Sequence, residues 1–435
     1  TNLDVVDIDG AVDMASTLTV AGNVVIDGGT IKLDGNYPTG DSNVALGNTA
    51  FDSVTTASNN TIMGNGAGTA ITESNFNTAI GSGALAAQVT GGRNVAIGYA
   101  ALDGDTTGGR TTAVGWGALG SQNISGNAIT GNTAVGYNSS STNTTGTNNT
   151  AIGYESLLAN TTGADNVAIG YAALGVNTTG ADNVAVGKQT LDANTTGSFN
   201  TALGDRALTS NTTAGGITAV GADSLFANTT GVNNTAVGSD SLKSCTTGNN
   251  NTAVGQSALT TSTTGAQNTA VGRNVLDALT DATGNTAIGE SAGSAITTGD
   301  DNVAVGANAL DANTTASNNT AVGKDALGAN TTAADNVAVG YKALLSNTTG
   351  SENTSVGSFS MNLNTTGLYN SAFGRLALRV NTTGIQNTAI GYQALAANTT
   401  ASNNSAFGYN ALVLNTTGAN NVGIGQFSLD ANTTG

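Results

Sequence analysis

A short box that ends in glycine returns every 17 residues along nearly the whole of this chain. The box glycines stand at Gly47, Gly64, Gly81, Gly98 and Gly115, then at Gly136 and every seventeenth position to Gly425. A spacing held over 23 copies in 435 residues is the signature of a stacked solenoid, in which each repeat is one coil touching only its neighbours. Function is therefore to be sought along a rod rather than in a pocket.

The repeat overrides the prior of about one domain per 150 residues. It divides the chain into a solenoid over 43–435 and an N-terminal region over 1–42. Abundant Gly, Asn, Thr and Ser with 9% charged residues resembles a disordered tract, but here the apolar positions are strictly phased, which argues for a folded chain. The net charge of −17 opposes binding to nucleic acid and to anionic membranes, and no apolar run approaches the ~20 residues of a membrane span. Cys245 is the single cysteine, so neither an intrachain disulfide nor a thiolate metal site is expected. The chain opens on Thr1 and stops inside a unit at Gly435; both ends read as truncated.

One unit runs Asn149-Thr150-Ala151-Ile152-Gly153-Tyr154-Glu155-Ser156-Leu157-Leu158-Ala159-Asn160-Thr161-Thr162-Gly163-Ala164-Asp165, positions 1 to 17. Position 5 is always Gly, which suits a corner where φ is positive or where another backbone passes closely. Position 4 is always apolar, with Met63, Phe373 and Phe407 as bulky variants. Position 3 is Ala except at Ile62, Ser355 and Gly423, and position 9 is Leu in 18 copies.

Positions 2 to 4 form a short β-favouring segment whose side chains alternate between faces. Position 4 and Leu at position 9 are expected to fill the coil. Ala at position 3 is then expected to face the other way, buried against a second chain. So little apolar surface per coil falls short of the ordering cost of roughly 1–2 kcal/mol per residue, which argues for an oligomer about a common axis, most simply a trimer.

Asn at position 1 and at position 12 suits ladders of amides about 4.8 Å apart, satisfying backbone groups at the corners. The Asn-Thr-Thr-Gly stretch is the second corner, and the spacing of 21 from Gly115 to Gly136 places four extra residues there, within Ser121 to Asn132. The first 42 residues lack the 17-residue clock and read as short interwound strands.

The best contact residues are the aromatics that follow the corner glycine: Tyr99, Trp116, Tyr137, Tyr154, Tyr171, Tyr341, Tyr392 and Tyr409. A line of rings on a rod can hold sugar or a partner protein, or simply shield the corner or a subunit seam. The Asn-x-Thr sequons, as at Asn160, Asn177 and Asn398, are better explained as ladder residues than as glycan acceptors. Paired threonines such as Thr161 and Thr162 are adjacent in a turn rather than spread on a flat strand face, which argues against ice binding. Asp4, Asp7 and Asp9 lack the frame of an EF-hand loop, so neither a metal nor a cofactor is expected. With no His and four scattered Glu residues (Glu73, Glu155, Glu290, Glu352), catalysis is not expected either.

The box Asn-Thr-Ala-Ile-Gly-Tyr-Gln-Ala-Leu at 387–395 and the Asn-Thr-Thr-Gly at 160–163 resemble two related groups. One is the head of trimeric autotransporter adhesins, whose repeats form a left-handed parallel β-roll with three chains about an axis. The other is a set of phage tail-fibre and bacterial surface proteins that often end in an endosialidase-type chaperone. The resemblance covers roughly 43–435. The adhesin heads use a shorter coil, so the extra residues here imply a longer outer turn or a three-sided coil.

The expectation is an all-β parallel β-solenoid, a homotrimeric rod acting as an extracellular fibre, most simply a phage tail-fibre shaft that presents a host-binding tip. Its partners would be itself and a glycan or protein of the host surface, with the virion tail or a cell surface as its location. A bacterial adhesin or self-assembling filament is the alternative, and a monomeric ice-binding solenoid a third reading.

Overall fold

A computed structural model describes residues 42–126 and 128–435; the expected interwound strands of the N-terminal region, and Asp4, Asp7 and Asp9 with them, lie outside the described residues. The described chain is an all-β parallel solenoid. Its 23 strands, from β1 (Val44–Leu46) to β23 (Val422–Ile424), are each three residues long and occupy positions 2 to 4 of successive units. Each pairs in parallel with the next, 17 residues on, so that Thr235 lies over Thr252, Ala236 over Ala253 and Val237 over Val254. The extra residues before Asn132 leave the register intact, since Thr112, Ala113 and Val114 pair with Thr133, Ala134 and Val135.

Hydrogen bonding between coils continues beyond the strands. The amide of Leu225 donates to the carbonyl of Ser241 at 3.0 Å, and that of Thr229 to Thr246 at 2.9 Å. Three runs of each coil therefore bond to the next, which fits the three-sided coil, one of the two arrangements the longer unit left open.

The corner glycine meets both demands placed on it. At Gly238 φ is +134°, and a Cβ there would lie 2.5 Å from the carbonyl oxygen of Gly255 in the next coil. Two further corners use left-handed residues without glycine's freedom: Leu225 has φ 50° and Asn233 has φ 57°. A left-handed Leu is costly in isolation. In this coil it breaks the strand-like alternation, so that neighbours such as Ala207 and Leu208 both point inward and are fully buried.

The facing of the strand corrects the sequence reading. Ala at position 3 points into its own coil, as at Ala219, Ala236 and Ala253, all fully buried within one chain. Position 4 points outward, and Leu46, Met63, Ile80, Leu203, Ile288, Phe373, Ile390 and Phe407 are exposed. The reason is period two: with Asn at position 1 turned inward to bond its neighbours, position 3 shares that face and position 4 cannot. Alanine persists at position 3 because Leu at position 9 fills the space opposite.

Two coils that lack Leu at position 9 show how the volume is made up. Where position 9 shrinks to Gly68, position 3 becomes Ile62 and position 12 becomes Ile71; a Cβ on Gly68 would sit 3.2 and 3.0 Å from these two side chains. Where it shrinks to Gly293, Leu276 and Ile296 close in to 2.9 and 3.0 Å. Side chains exchange volume within the core so that packing density is kept.

Two columns of asparagine supply the rest of the interior. At position 1, the Oδ1 of Asn234 accepts from the backbone N–H of Asn251 at 2.9 Å and from its Nδ2 at 3.2 Å, and the same Nδ2 donates to the carbonyl of Gly265 at 2.8 Å. At position 12, the Nδ2 of Asn211 donates to the Oδ1 of Asn194 and to the carbonyl of Ala214, both at 3.0 Å. A coil with a modest apolar core thus closes on polar groups that bond to one another.

Candidate functional site

The residue after the corner glycine lies at an exposed turn, and in-register stacking brings equivalent side chains above one another. Tyr99, Trp116, Tyr137, Tyr154 and Tyr171 therefore form one uninterrupted stack, with ring centroids 5.0 to 5.8 Å apart and planes within 12°. Tyr392 and Tyr409 form a second, shorter stack at 5.2 Å, while Tyr341 meets Phe359 edge to face. All eight aromatics lie on one line, as the sequence placed them, but the rings meet in separate groups.

Stacking changes what the line can do. Each ring in the long stack spends its faces on its neighbours, so solvent meets edges and hydroxyls rather than open π-faces. Sugar rings pack on aromatic faces. Free faces are confined to the ends, where Tyr99 borders the rung of Ser82 and Tyr171 the rung of Lys188. Along its length the stack is a comb of phenol hydroxyls suited to hydrogen bonding. One of them is perturbed: Glu155 raises the Tyr154 hydroxyl above its usual value, by hydrogen bonding first and by its charge second.

The sequons prove inaccessible. Asn160, Asn177 and Asn398 are fully buried, and the Nδ2 of each is engaged in the ladder, as in the bond from Asn160 to the Oδ1 of Asn143 at 2.8 Å. Cys245 is buried as well, and burial pushes its thiol up to about 11. Among the described residues no three His, Cys, Asp or Glu side chains converge as metal ligands would.

Two features escaped the sequence reading. The first is the outward column of position 4, misassigned to the interior. The second is a pair of arginines at equivalent positions of successive coils, Arg93 and Arg110, beside shallow grooves near the longer unit. The doubled glycines Gly91-Gly92 and Gly108-Gly109 next to each arginine were the available signal.

No protein-family model matches this chain, and no curated protein is similar to it. What the fold and its columns define is a class: a repeating parallel β-solenoid with 17-residue coils.

Proposed function

We propose that this chain is a structural, non-catalytic extracellular fibre, most simply the shaft of a phage tail fibre that holds a host-recognition tip at a set distance. Its stiffness comes from unbroken coil-to-coil hydrogen bonding, and its length from the number of repeats. In this reading the fibre is a homotrimer, and the surface that joins the chains is the outward strand face.

The observation that carries the reading is the exposed apolar column. Val, Ile, Leu, Met and Phe at position 4 run beside Thr, Val or, at Ser371 and Ser405, Ser at position 2 along the 23 strands, on an in-register sheet. Monomeric proteins rarely expose a continuous apolar stripe of such length. Three chains packed about an axis would cover it and give the apolar burial that one coil lacks.

Light scattering tests this directly. The proposal expects about three times the 42.3 kDa chain mass, and monomers when Val220, Val237 and Val254 are all replaced by Lys, with the circular dichroism unchanged. A monomeric wild type refutes the trimer; if it also shows thermal hysteresis, the outward Thr and Val columns act on ice instead. Open-ended polymers would favour a self-assembling filament.

A further inference from the structure

The coil lengthened between Gly115 and Gly136 interrupts the repeat, and two arginines stand in the coils before it. Arg93 and Arg110 occupy position 17 of successive coils and so project from one corner about 4.8 Å apart. Both are exposed, and among the described residues no carboxylate pairs with either. In a chain with 11 basic and 28 acidic residues, two unpaired guanidinium groups on adjacent rungs are unusual company. They repel one another, and an anion between them would remove that repulsion.

The surroundings form a receptacle. Gly91 and Gly92 below, with Gly108 and Gly109 above, let the coils approach closely at this corner, and a Cβ on Gly92 would collide with the carbonyl oxygen of Asn75. A groove of about 230 Å³ opens between Glu73, Phe76 and Arg93, and a second of about 140 Å³ runs from Arg93 past Arg110 to Ile129. The two share Gly92 and Arg93 in their walls. Phe76 and Ile129 are 53% and 58% exposed and supply an apolar surface at either end. The Arg93 guanidinium lies over the Phe76 ring at 5.4 Å, which fixes its plane and leaves its edge donors free.

We propose that this groove binds an acidic sugar unit, the carboxylate or sulfate ester held between Arg93 and Arg110 and an apolar sugar edge against Phe76 or Ile129. Guanidinium forks match such oxyanions bidentately. The net charge of −17 sets the kind of glycan: a dense polyanion is repelled, whereas an occasional acid in a largely neutral chain is not. Glu73 at the far wall opposes the anion and limits affinity. The site gives the rod a lateral contact distinct from any tip.

The test uses the whole chain and three trisaccharides, one bearing a single uronic acid, one a single sulfate ester, and their uncharged parent, with binding followed by calorimetry. The expected result is binding of one or both acidic sugars, weakened by salt, with the uncharged parent at least tenfold weaker. Arg93→Gln with Arg110→Gln should lower affinity tenfold or more, and Glu73→Gln should raise it. Which acid binds more tightly separates carboxylate from sulfate recognition. Inorganic sulfate that binds as tightly as either sugar overturns the proposal, as do equal binding of the uncharged parent and affinity unchanged in the double variant. Both arginines are exposed, and an unaltered melting curve for the double variant verifies that the fold is intact.

Discussion

Replacing Cys245 with Asn should stabilise the rod, and the reason lies in one broken ladder. At position 12 an unbroken run of amides extends from Asn143 to Asn228, each Nδ2 donating to the Oδ1 of the rung before. The next rung is Cys245, whose side chain makes a weak bond from Sγ to the carbonyl of Gly248 at 3.7 Å and none to Asn228. The Oδ1 of Asn228 is consequently buried without a partner, and so is the Oγ of Ser262 on the rung beyond. Asn at 245 restores a donor to Asn228, keeps the bond to Gly248, and offers its own Oδ1 to the Ser262 hydroxyl. A buried unsatisfied polar atom costs about 1–3 kcal/mol, and a net hydrogen bond contributes about 0.5–1.5 kcal/mol. Satisfying two atoms should therefore gain roughly 1–3 kcal/mol. Asn in place of Cys introduces no overpacking, since the preceding coil holds Asn228 at the same site and the following one the small Ser262. Denaturant unfolding measures the gain, and hydrogen exchange of the amides near Asn228 and Ser262 localises it. The reciprocal change, Asn211→Cys, should lose a comparable amount. A Cys245→Asn variant no more stable than wild type would refute the ladder account.

The corner glycine gives a paired test. Gly238→Ala meets both an unfavourable φ and the carbonyl of Gly255, whereas Gly425→Ala, with φ +113° and nothing within 4 Å, meets only the first. The first should cost about 1–3 kcal/mol more than the second, because coils must part around the 2.7 Å bond from the Gly255 amide to Val237; equal melting losses would contradict the stacking clash. Asp105 predicts a pH effect. It is fully buried, and desolvation raises its pKa despite donors from Gln122 at 2.8 Å and the Gly108 amide at 2.9 Å. A raised acid stabilises the fold below its unfolded value of 3.8 and loses that contribution as pH rises through its folded value. The stability of Asp105→Asn relative to wild type should therefore increase with pH from about 3 to 7, and a flat or falling difference in unfolding free energy would count against the burial.

The parts of the structure fixed by period were open to reading from the sequence. Gly at position 5 announced the corner, Asn at positions 1 and 12 the two ladders, and the 17-residue clock the in-register strands. Which face of the strand turned inward was not, because Ala and Val alternate and each suits a buried site. The decision rests with Asn at position 1, whose bonds to the neighbouring coil fix the inward side, and with the left-handed φ at Leu in position 9, which places Ala and Leu together in the core. No local preference of Leu points to that conformation; only the closed coil demands it. The aromatic line was legible as a line, but its ring-on-ring stacking needed the axial spacing. Arg93 and Arg110 carried little signal because their meaning depends on the glycines and the longer coil beside them.

The central claim is that every 17 residues advance the chain by one rung of the rod. Spin labels at exposed, equivalent threonines measure that advance, with Cys245→Ser as background and unlabelled chain in excess to suppress contacts between copies. Thr162→Cys with Thr247→Cys spans five units, and Thr162→Cys with Thr332→Cys spans ten. The account predicts narrow electron–electron distance distributions centred near roughly 24 and 48 Å, doubling with the number of units. Broad distributions, or distances that fail to double, would contradict it.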